Sequence, residues 1–206
     1  MSRFLTIVGF LCALALPVPT GWAASPTQGQ NISASKDKNS SFLTVDEALA
    51  LCFPKCTITR GTQYLSPKEV KQVVKLSGSK SISRIAHPYQ AHDAKGILVG
   101  TAWFDSHRVR SKRETLMIAA DPAGKILRVE VLAFAEPRQY QPPAKWYGQL
   151  KGLVLSPELS LKGKVRNMAG ATLTARATVQ AARRALALQH VLGARNLPPA
   201  DSAIPK

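Results

Sequence analysis

The sequence predicts a single α+β domain in which an antiparallel sheet of about four strands packs with helices. Three observations favour this fold class: two helix starts with capping-box spacing, a change to strand periodicity from Ser83, and an apolar stripe along a long final helix. A length of 206 residues allows one or at most two domains. Both kinds of periodicity within so short a chain therefore indicate one mixed domain.

Two short helices begin at capping boxes. Thr44 is followed three residues later by Glu47, and the helix is expected to run through Leu51. Ser66 and Glu69 repeat the spacing, with a proline at the first helical position and a Ser-Gly pair at the end. These two segments give the N-terminal part of the domain its helical character.

Four strands are expected in the middle of the chain. Residues 85–90 and 97–108 flank an Asp-Ala-Lys-Gly turn, and residues 115–120 and 125–134 flank Asp-Pro-Ala-Gly. The last of these strands alternates apolar and charged residues, as expected for a strand with one wet face. Consecutive strands joined by short turns predict an antiparallel meander.

The C-terminal third is expected to be helical again. Pro143 opens a helical turn that carries Trp146. The final helix is expected from about Ala175 to Leu192, ending at Gly193, with apolar residues at helical spacing along one face.

The N-terminus has the pattern of a cleavable signal peptide at residues 1–23, with a basic residue, an apolar run and a small-residue site ending at Ala23. The apolar run of ~13 residues is shorter than the ~20 that span a bilayer, although an uncleaved anchor is the alternative. We expect a flexible leader at 24–41, the folded domain at 42–195 and a disordered tail at 196–206. The protein is therefore expected to be periplasmic, with no transmembrane segment in the mature chain.

The chain is strongly basic, with a formal net charge of +16. Such a charge suits an anionic membrane surface, an acidic protein partner or simple solubility by self-repulsion. Nucleic acid is not an expected partner, because the basic residues are scattered and not interleaved with aromatics on one face.

Most candidate sites are unconvincing. Cys52 and Cys56 lack the histidine of a haem attachment site, and in an oxidising compartment they are expected to form a disulfide. The four histidines show no metal-ligand spacing, so no metal site is predicted. Asp105 and His107 are close in sequence, and we interpret them as a surface pair. No catalytic constellation is found.

The run VRNMAGATLTARAT at residues 165–178 is the most informative segment. Gly170 and its alanine neighbours permit close backbone approach, while Thr172 and Thr174 place two hydroxyls just ahead of the last helix. A helix N-terminus suits a phosphate group, and Arg176, with Arg166 as a second candidate, would add to the attraction. The alternative is a plain helix start, in which Thr174 serves as the N-cap.

The run AGATLT resembles the signature of the FMN-binding domain family of exported flavoproteins. Residues 103–118, 130–150 and 170–188 also resemble single-domain members, so the likeness covers most of residues 43–192. The family includes the covalently flavinylated subunits of Na⁺-translocating NADH:quinone reductases and Rnf-type complexes. In those subunits a flavin transferase attaches FMN to the motif threonine through a phosphodiester.

The resemblance implies FMN as the cofactor, with Thr172 as the attachment residue. The other implied cofactor-binding residues flank that threonine or form a turn beside the flavin: Ala169, Gly170, Ala171, Leu173, Thr174 and Glu136. Two positions depart from the family pattern, since Arg166 replaces an acidic residue and Ala169 replaces a serine or threonine. Attachment could therefore be covalent, non-covalent or absent.

We accordingly expect an electron carrier more than a substrate-transforming enzyme, because electron transfer needs no general acid or base. Its expected partners are a flavin transferase and redox proteins such as cytochromes or membrane electron-transport complexes. The alternative is a flavin-free exported binding module of the same fold that docks an acidic partner through its basic surface.

Overall fold

The computed structural model describes residues 42–193. The helices within this part of the chain are α1 (Val45–Cys52), α2 (Pro67–Ser77), α3 (Ala144–Gly148) and α4 (Thr172–Leu192), with a 3-10 turn at Arg138–Tyr140. The strands are β1 (Thr57–Arg60), β2 (Gln63–Tyr64), β3 (Ile85–Ala86), β4 (Tyr89–His92), β5 (Leu98–Arg108), β6 (Arg113–Ala120) and β7 (Ile126–Phe134). The predicted signal peptide, leader and tail lie outside the described residues.

The main sheet has five antiparallel strands in the order β1-β4-β5-β6-β7. Strands β4 to β7 form the predicted meander, and β1 adds an edge strand that was not predicted. The expected strand at residues 85–90 is split at Pro88, which has no N–H to donate to a ladder, so that β3 pairs instead with β2. The α+β fold class is confirmed, with slightly more strands than expected.

Helices cover both faces of this sheet. In β6, Leu116 and Ile118 belong to the large apolar cluster shared with α2, α3 and α4, whereas Met117 and Ala119 belong to a smaller cluster beneath α1. All four side chains are fully buried because neither face of β6 meets solvent at these positions. The alternation of side chains along one strand thus links two separate cores.

Both predicted capping boxes are present. The Thr44 hydroxyl oxygen accepts from the Glu47 N–H at 3.2 Å, and the Glu47 carboxylate accepts from the Thr44 N–H at 3.0 Å. Ser66 and Glu69 make the same reciprocal pair at the start of α2. Local side-chain chemistry therefore positions these two helix starts.

The predicted start of α4 at Ala175 is wrong by three residues. The helix begins at Thr172, with Ala171 as its N-cap and no side-chain hydrogen bond to cap it. Gly170, at φ 80°, adopts the left-handed backbone that turns the chain into the helix. The sequence-based boundary assumed a hydroxyl cap, whereas the glycine turn and the packing of α4 set the start.

The predicted disulfide between Cys52 and Cys56 is also wrong, since both are free thiols in this structure. Each packs at the edge of the cluster beneath α1. The Cys56 thiol is directed at the carbonyl oxygen of Pro54, 3.6 Å away. Burial raises the pKa of Cys52 to about 11, so this thiol is a poor nucleophile at neutral pH.

Within the described part of the chain, every helix is too short or too polar to cross a lipid bilayer.

A close approach between α1 and the sheet leaves no room for a side chain at Gly100. A Cβ atom at this position in β5 would lie 2.6 Å from Cε1 of Phe53 and 2.8 Å from the carbonyl oxygen of Ala120. We expect Gly100→Ala to lower the free energy of unfolding by about 2–3 kcal/mol through overpacking, measured by urea denaturation. Gly148→Ala is the matched control, because nothing lies within 4 Å of its added methyl group. Equal stabilities of the two variants would contradict the steric argument.

Candidate functional site

The motif threonine Thr172 is the first residue of α4 and lies at the mouth of a groove. Its side chain is half-buried, and its hydroxyl donates to the carbonyl oxygen of Met168 at 3.1 Å. The groove beside it, which we call the Thr172 groove, has a volume of about 600 Å³. Its lining residues come from the segment before the motif and from one face of α4: Pro157, Leu159, Ser160, Leu161, Lys162, Asn167, Thr172, Arg176, Val179, Gln180 and Arg183.

The second hydroxyl of the motif is not available to a ligand. Thr174 is only 1% exposed, and its hydroxyl donates to the carbonyl oxygen of Tyr140 in the 3-10 turn. The interpretation of Thr174 as an N-cap is therefore wrong, because it lies inside the first helical turn and bonds to a distant segment. Its role in this structure is to join the start of α4 to the chain that leaves β7.

The small residues of the motif are open to solvent. Ala169 and Gly170 are exposed, and a Cβ atom built on Gly170 would meet nothing within 4 Å. Leu173 is 45% exposed, which is unusual for a leucine next to a buried helix face. Ala171 is buried beneath the turn. The surface around Thr172 therefore has free space and an uncovered apolar side chain.

Hydrogen bonds between the main chain of Arg166 and the side chains of Trp146 and Gln149 hold the segment that leads into the motif. Trp146 in α3 donates its Nε1–H to the Arg166 carbonyl oxygen at 2.7 Å, and the Gln149 side-chain oxygen accepts from the Arg166 N–H at 2.8 Å. The Arg166 side chain is exposed and does not line the groove. Trp146 therefore fixes the path of the chain before Thr172.

The carboxylate of Glu136 is fully engaged in hydrogen bonds to the turn between β5 and β6. Its carboxylate accepts the backbone N–H groups of Arg110, Ser111 and Lys112, at 3.2, 2.7 and 2.7 Å. The hydrogen bond from Lys112, assisted by those from Ser111 and Arg110, lowers the pKa of Glu136 below its usual value. Glu136 does not line the Thr172 groove, and its contacts are those of a clamp on the β5–β6 turn.

One contact chain nevertheless connects Glu136 to the motif. The Arg110 guanidinium, in the turn that Glu136 holds, stacks 4.4 Å from the centre of the Tyr140 ring. Tyr140 in turn accepts the Thr174 hydroxyl hydrogen bond through its carbonyl oxygen. The structure thus brings the turn after β5, the 3-10 turn and the start of α4 together, with Thr172 at the open side.

Sequence reasoning identified Arg176 as a basic residue near the motif threonine, but it missed Lys162, which also borders the Thr172 groove. Lys162 and Arg176 are exposed and border the groove, whereas the Arg183 guanidinium is taken up by carbonyl oxygens of Leu76, Ser77, Ser156 and Leu159. The available signal was the alternation of basic residues at 162, 164 and 166, just before the motif. It was obscured because basic residues occur throughout the chain.

Comparison with known protein families gives a match over a segment that contains the motif. Residues 111–187 match the model of the FMN-binding domain, a segment that runs from the turn before β6 through most of α4 and contains Thr172. This segment of the chain belongs to the FMN-binding domain family. FMN is the cofactor that this match indicates. No curated protein matches the sequence significantly.

The residues around Thr172 fit the phosphate of FMN. The first turn of the 21-residue helix α4 has no side-chain cap and no acidic residue, so its N–H groups can be directed at an anion. Lys162 and Arg176 add positive charge at the groove. Apolar walls from Leu159 and Val179 suit a flat aromatic ring system. The FMN-binding domain can thus hold the cofactor with its own side chains.

A chain of ionisable side chains joins β5, β6, α3 and α4 at a distance from Thr172. Arg184 binds Asp105 through two hydrogen bonds of 2.7 Å, and Asp105 contacts His107 at 2.9 Å. The other ring nitrogen of His107 lies 3.1 Å from Glu114, which also accepts from the Tyr147 hydroxyl at 3.3 Å. Glu114 is 0% exposed. The interpretation of Asp105 and His107 as a surface pair is therefore wrong.

This chain sets the protonation of its members. Burial alone would lower the pKa of His107, but hydrogen bonds to Asp105 and Glu114 outweigh it and raise that pKa. Burial alone would raise the pKa of Asp105, but hydrogen bonds from His107 and Arg184 lower it to about 2. An imidazolium held between two carboxylates is the arrangement that these shifts describe.

The stability of the domain should consequently depend on pH. The raised pKa of His107 means that its contribution is complete below about pH 6.5 and is lost as pH rises through the folded-state pKa. The lowered pKa of Asp105 gives a contribution that is lost as pH falls through about 2. We expect the free energy of unfolding to fall above neutral pH, and His107→Gln to flatten that fall. The exposed His190→Gln is the control, and identical pH profiles for both variants would contradict the expectation.

Proposed function

We propose that this chain is an exported electron-transfer flavoprotein in which FMN is attached to Thr172 through a phosphodiester. The observation that carries the proposal is the difference between the two motif hydroxyls. Thr172 borders an open groove, whereas Thr174 is buried in a hydrogen bond to Tyr140. When bound, FMN supplies one- and two-electron transfer chemistry.

The residues of the chain have binding and positioning tasks in this proposal. The Thr172 hydroxyl, which donates to the Met168 carbonyl oxygen, would lose its proton and supply the ester oxygen, while the leaving group on the flavin phosphate would depart at the flavin transferase. The N–H groups at the start of α4, together with Arg176, offset the negative charge of the phosphate. Trp146 holds the preceding segment through the Arg166 carbonyl oxygen, so that the threonine is presented in a fixed position.

Intact-mass spectrometry tests the attachment. The full chain is co-expressed with a flavin transferase, exported, and purified from the periplasm. We expect a mass increase equal to one FMN less one water, and yellow colour that remains with the protein after acid precipitation. The peptide containing residues 167–176 should carry the modification. A colourless protein of unmodified mass would overturn covalent attachment, and colour lost on precipitation would leave only non-covalent FMN.

Export is tested on the same sample. The signal-peptide pattern predicts a mature N-terminus at Ala24, which N-terminal sequencing would detect. A protein that begins at Met1 in the membrane fraction would contradict cleavage.

Redox partners of the protein are proposed to present acidic surfaces, because the chain carries a formal net charge of +16. Cytochromes or membrane electron-transport complexes are the partner classes that we propose. The association rate with such a partner is expected to fall as ionic strength rises, since surface charges are screened beyond about 8–10 Å in physiological salt. Stopped-flow reduction measured across a salt series tests this. A rate that is independent of salt would contradict electrostatic docking.

A further inference from the structure

A second groove, which we call the Arg184 groove, lies beside the ionisable chain. Its volume is about 630 Å³, within the range of small-molecule sites. Three kinds of side chain border it: the cations Arg60 and Arg184, the aromatic residues Tyr89, Trp103 and Phe104, and the network members Asp105 and His107. None of these residues belongs to the Thr172 groove.

The ionisable chain holds Arg184 in one orientation. Asp105 accepts from both Nε and Nη2 of this arginine, and Asp105 is itself held by His107, which is anchored on the buried Glu114. The Arg184 side chain is only 19% exposed. A guanidinium fixed in this way loses little conformational entropy when it binds an anion.

One edge of that guanidinium remains unused. Among residues 42–193, no group accepts a hydrogen bond from Nη1 of Arg184. Arg60 supplies a second cation at the groove, where its guanidinium lies 5.6 Å from the centre of the Tyr89 ring. Asp105 offsets the charge of Arg184 and Glu114 offsets that of His107, so the charge of Arg60 is left uncompensated and the groove favours a negatively charged group.

The remaining wall is aromatic. Tyr89 packs edge-on against Phe104 with ring centres 4.8 Å apart, and Trp103 borders the same space. Trp103 donates its Nε1–H to Gln189 at 3.4 Å, so its ring is fixed. Rigid aromatic walls beside a fixed guanidinium are suited to a flat organic anion.

The position of Arg184 on α4 separates this groove from the cofactor site. Twelve residues of helix place Arg184 about 18 Å along the axis from Thr172. The Thr172 groove is bordered by Arg176, Gln180 and Arg183, whereas Arg184 and Leu188 border the second groove on another face of the helix. A ligand in the Arg184 groove therefore would not compete for the phosphate position at Thr172.

We propose that the Arg184 groove is a binding site for a small, flat organic carboxylate, with the free Nη1 edge of Arg184 as its anchor. Arg60 assists through its charge, and Asp105, His107 and Glu114 act as positioning residues for the anchor. This proposal does not rest on covalent FMN attachment at Thr172.

Two-dimensional NMR of the purified protein tests the site, with naphthoate as the probe and naphthamide as its uncharged counterpart. We expect naphthoate to shift the Trp103 indole N–H and the Arg184 Nε–H resonances with a saturable curve. The affinity for naphthamide should be lower than that for naphthoate by at least about tenfold, since naphthamide lacks the charge that Arg184 recognises. Equal binding of the two probes, or no shift at Trp103 up to the solubility limit of naphthoate, would overturn the proposal.

Variants separate the specific site from general basic charge. Arg184→Gln is expected to weaken naphthoate binding by about tenfold, and Arg60→Gln by a smaller factor. Arg60→Gln keeps the test valid if the first variant does not fold, because the Arg60 side chain makes no hydrogen bond within the described chain. Arg108→Gln is the matched control, since it removes the same charge from an exposed position of β5 outside the groove. Equal loss of affinity in all three variants would overturn the assignment of Arg184 as the anchor.

Discussion

Covalent flavin is expected to be lost completely when Thr172 is replaced with valine. The substitution removes the hydroxyl while keeping the β-branched shape of the side chain, so the start of α4 should be retained. In the structure this hydroxyl makes only one hydrogen bond, to the Met168 carbonyl oxygen at 3.1 Å. That carbonyl remains near solvent, and the effect on stability should be small. The measurement is mass spectrometry of the peptide containing residues 167–176 after co-expression with a flavin transferase.

Thr174→Val is the matched control for this experiment. It removes a hydroxyl two residues away but leaves the Tyr140 carbonyl oxygen without its buried donor. We expect it to lower the free energy of unfolding by about 1–2 kcal/mol and to keep the covalent flavin. The two variants should therefore show opposite effects on attachment and stability. If flavin persists in Thr172→Val and disappears in Thr174→Val, the attachment residue is Thr174 and the assignment of Thr172 is wrong.

The largest stability loss among single substitutions is expected for Glu114→Ala. Glu114 is fully buried, and its carboxylate contacts both the His107 ring and the Tyr147 hydroxyl. Its removal leaves an imidazolium facing a cavity and a buried hydroxyl without its acceptor. Breaking a buried pair from one side commonly costs about 3–5 kcal/mol, which we expect to see in urea denaturation.

Glu130→Ala provides the comparison for Glu114→Ala. Glu130 pairs with Arg128 at 2.8 Å on β7, but both side chains are partly exposed, at 24% and 41%. An exposed pair of this kind contributes about 0–1 kcal/mol. Similar losses for Glu114→Ala and Glu130→Ala would show that the buried chain adds no more than a surface ion pair. The position of Glu114 in the core predicts a clear difference.

The network of side chains that joins Arg184 to Glu114 also explains why Asp105 and His107 were misinterpreted from the sequence. Their spacing of two residues on a strand places both side chains on one face, which is where the structure has them. The sequence does not show that Arg184 of α4 and Tyr147 of α3 cover that face. A pair that would titrate normally in solvent therefore becomes part of a buried network.

Local patterns in the sequence were sufficient to determine the fold class, the two capped helices, the meander from β4 to β7 and the end of α4 at Gly193. Capping boxes, turn residues and strand alternation depend on neighbours within a few residues, so they can be recognised without a structure. The motif around Thr172 and the FMN assignment could also be predicted, because the AGATLT run is a contiguous signature. The signature does not show which of its two hydroxyls, that of Thr172 or that of Thr174, is accessible.

Only the tertiary structure determines which of the two threonine hydroxyls is accessible. Thr174 is buried because the 3-10 turn at Arg138–Tyr140 packs on the start of α4, and Thr172 is open because the preceding segment borders a groove. The extra edge strand β1 and the two separate grooves likewise arise from segments distant in sequence. Burial and hydrogen-bond partners are properties of the assembled chain, and contacts between residues that are far apart in the sequence determine them.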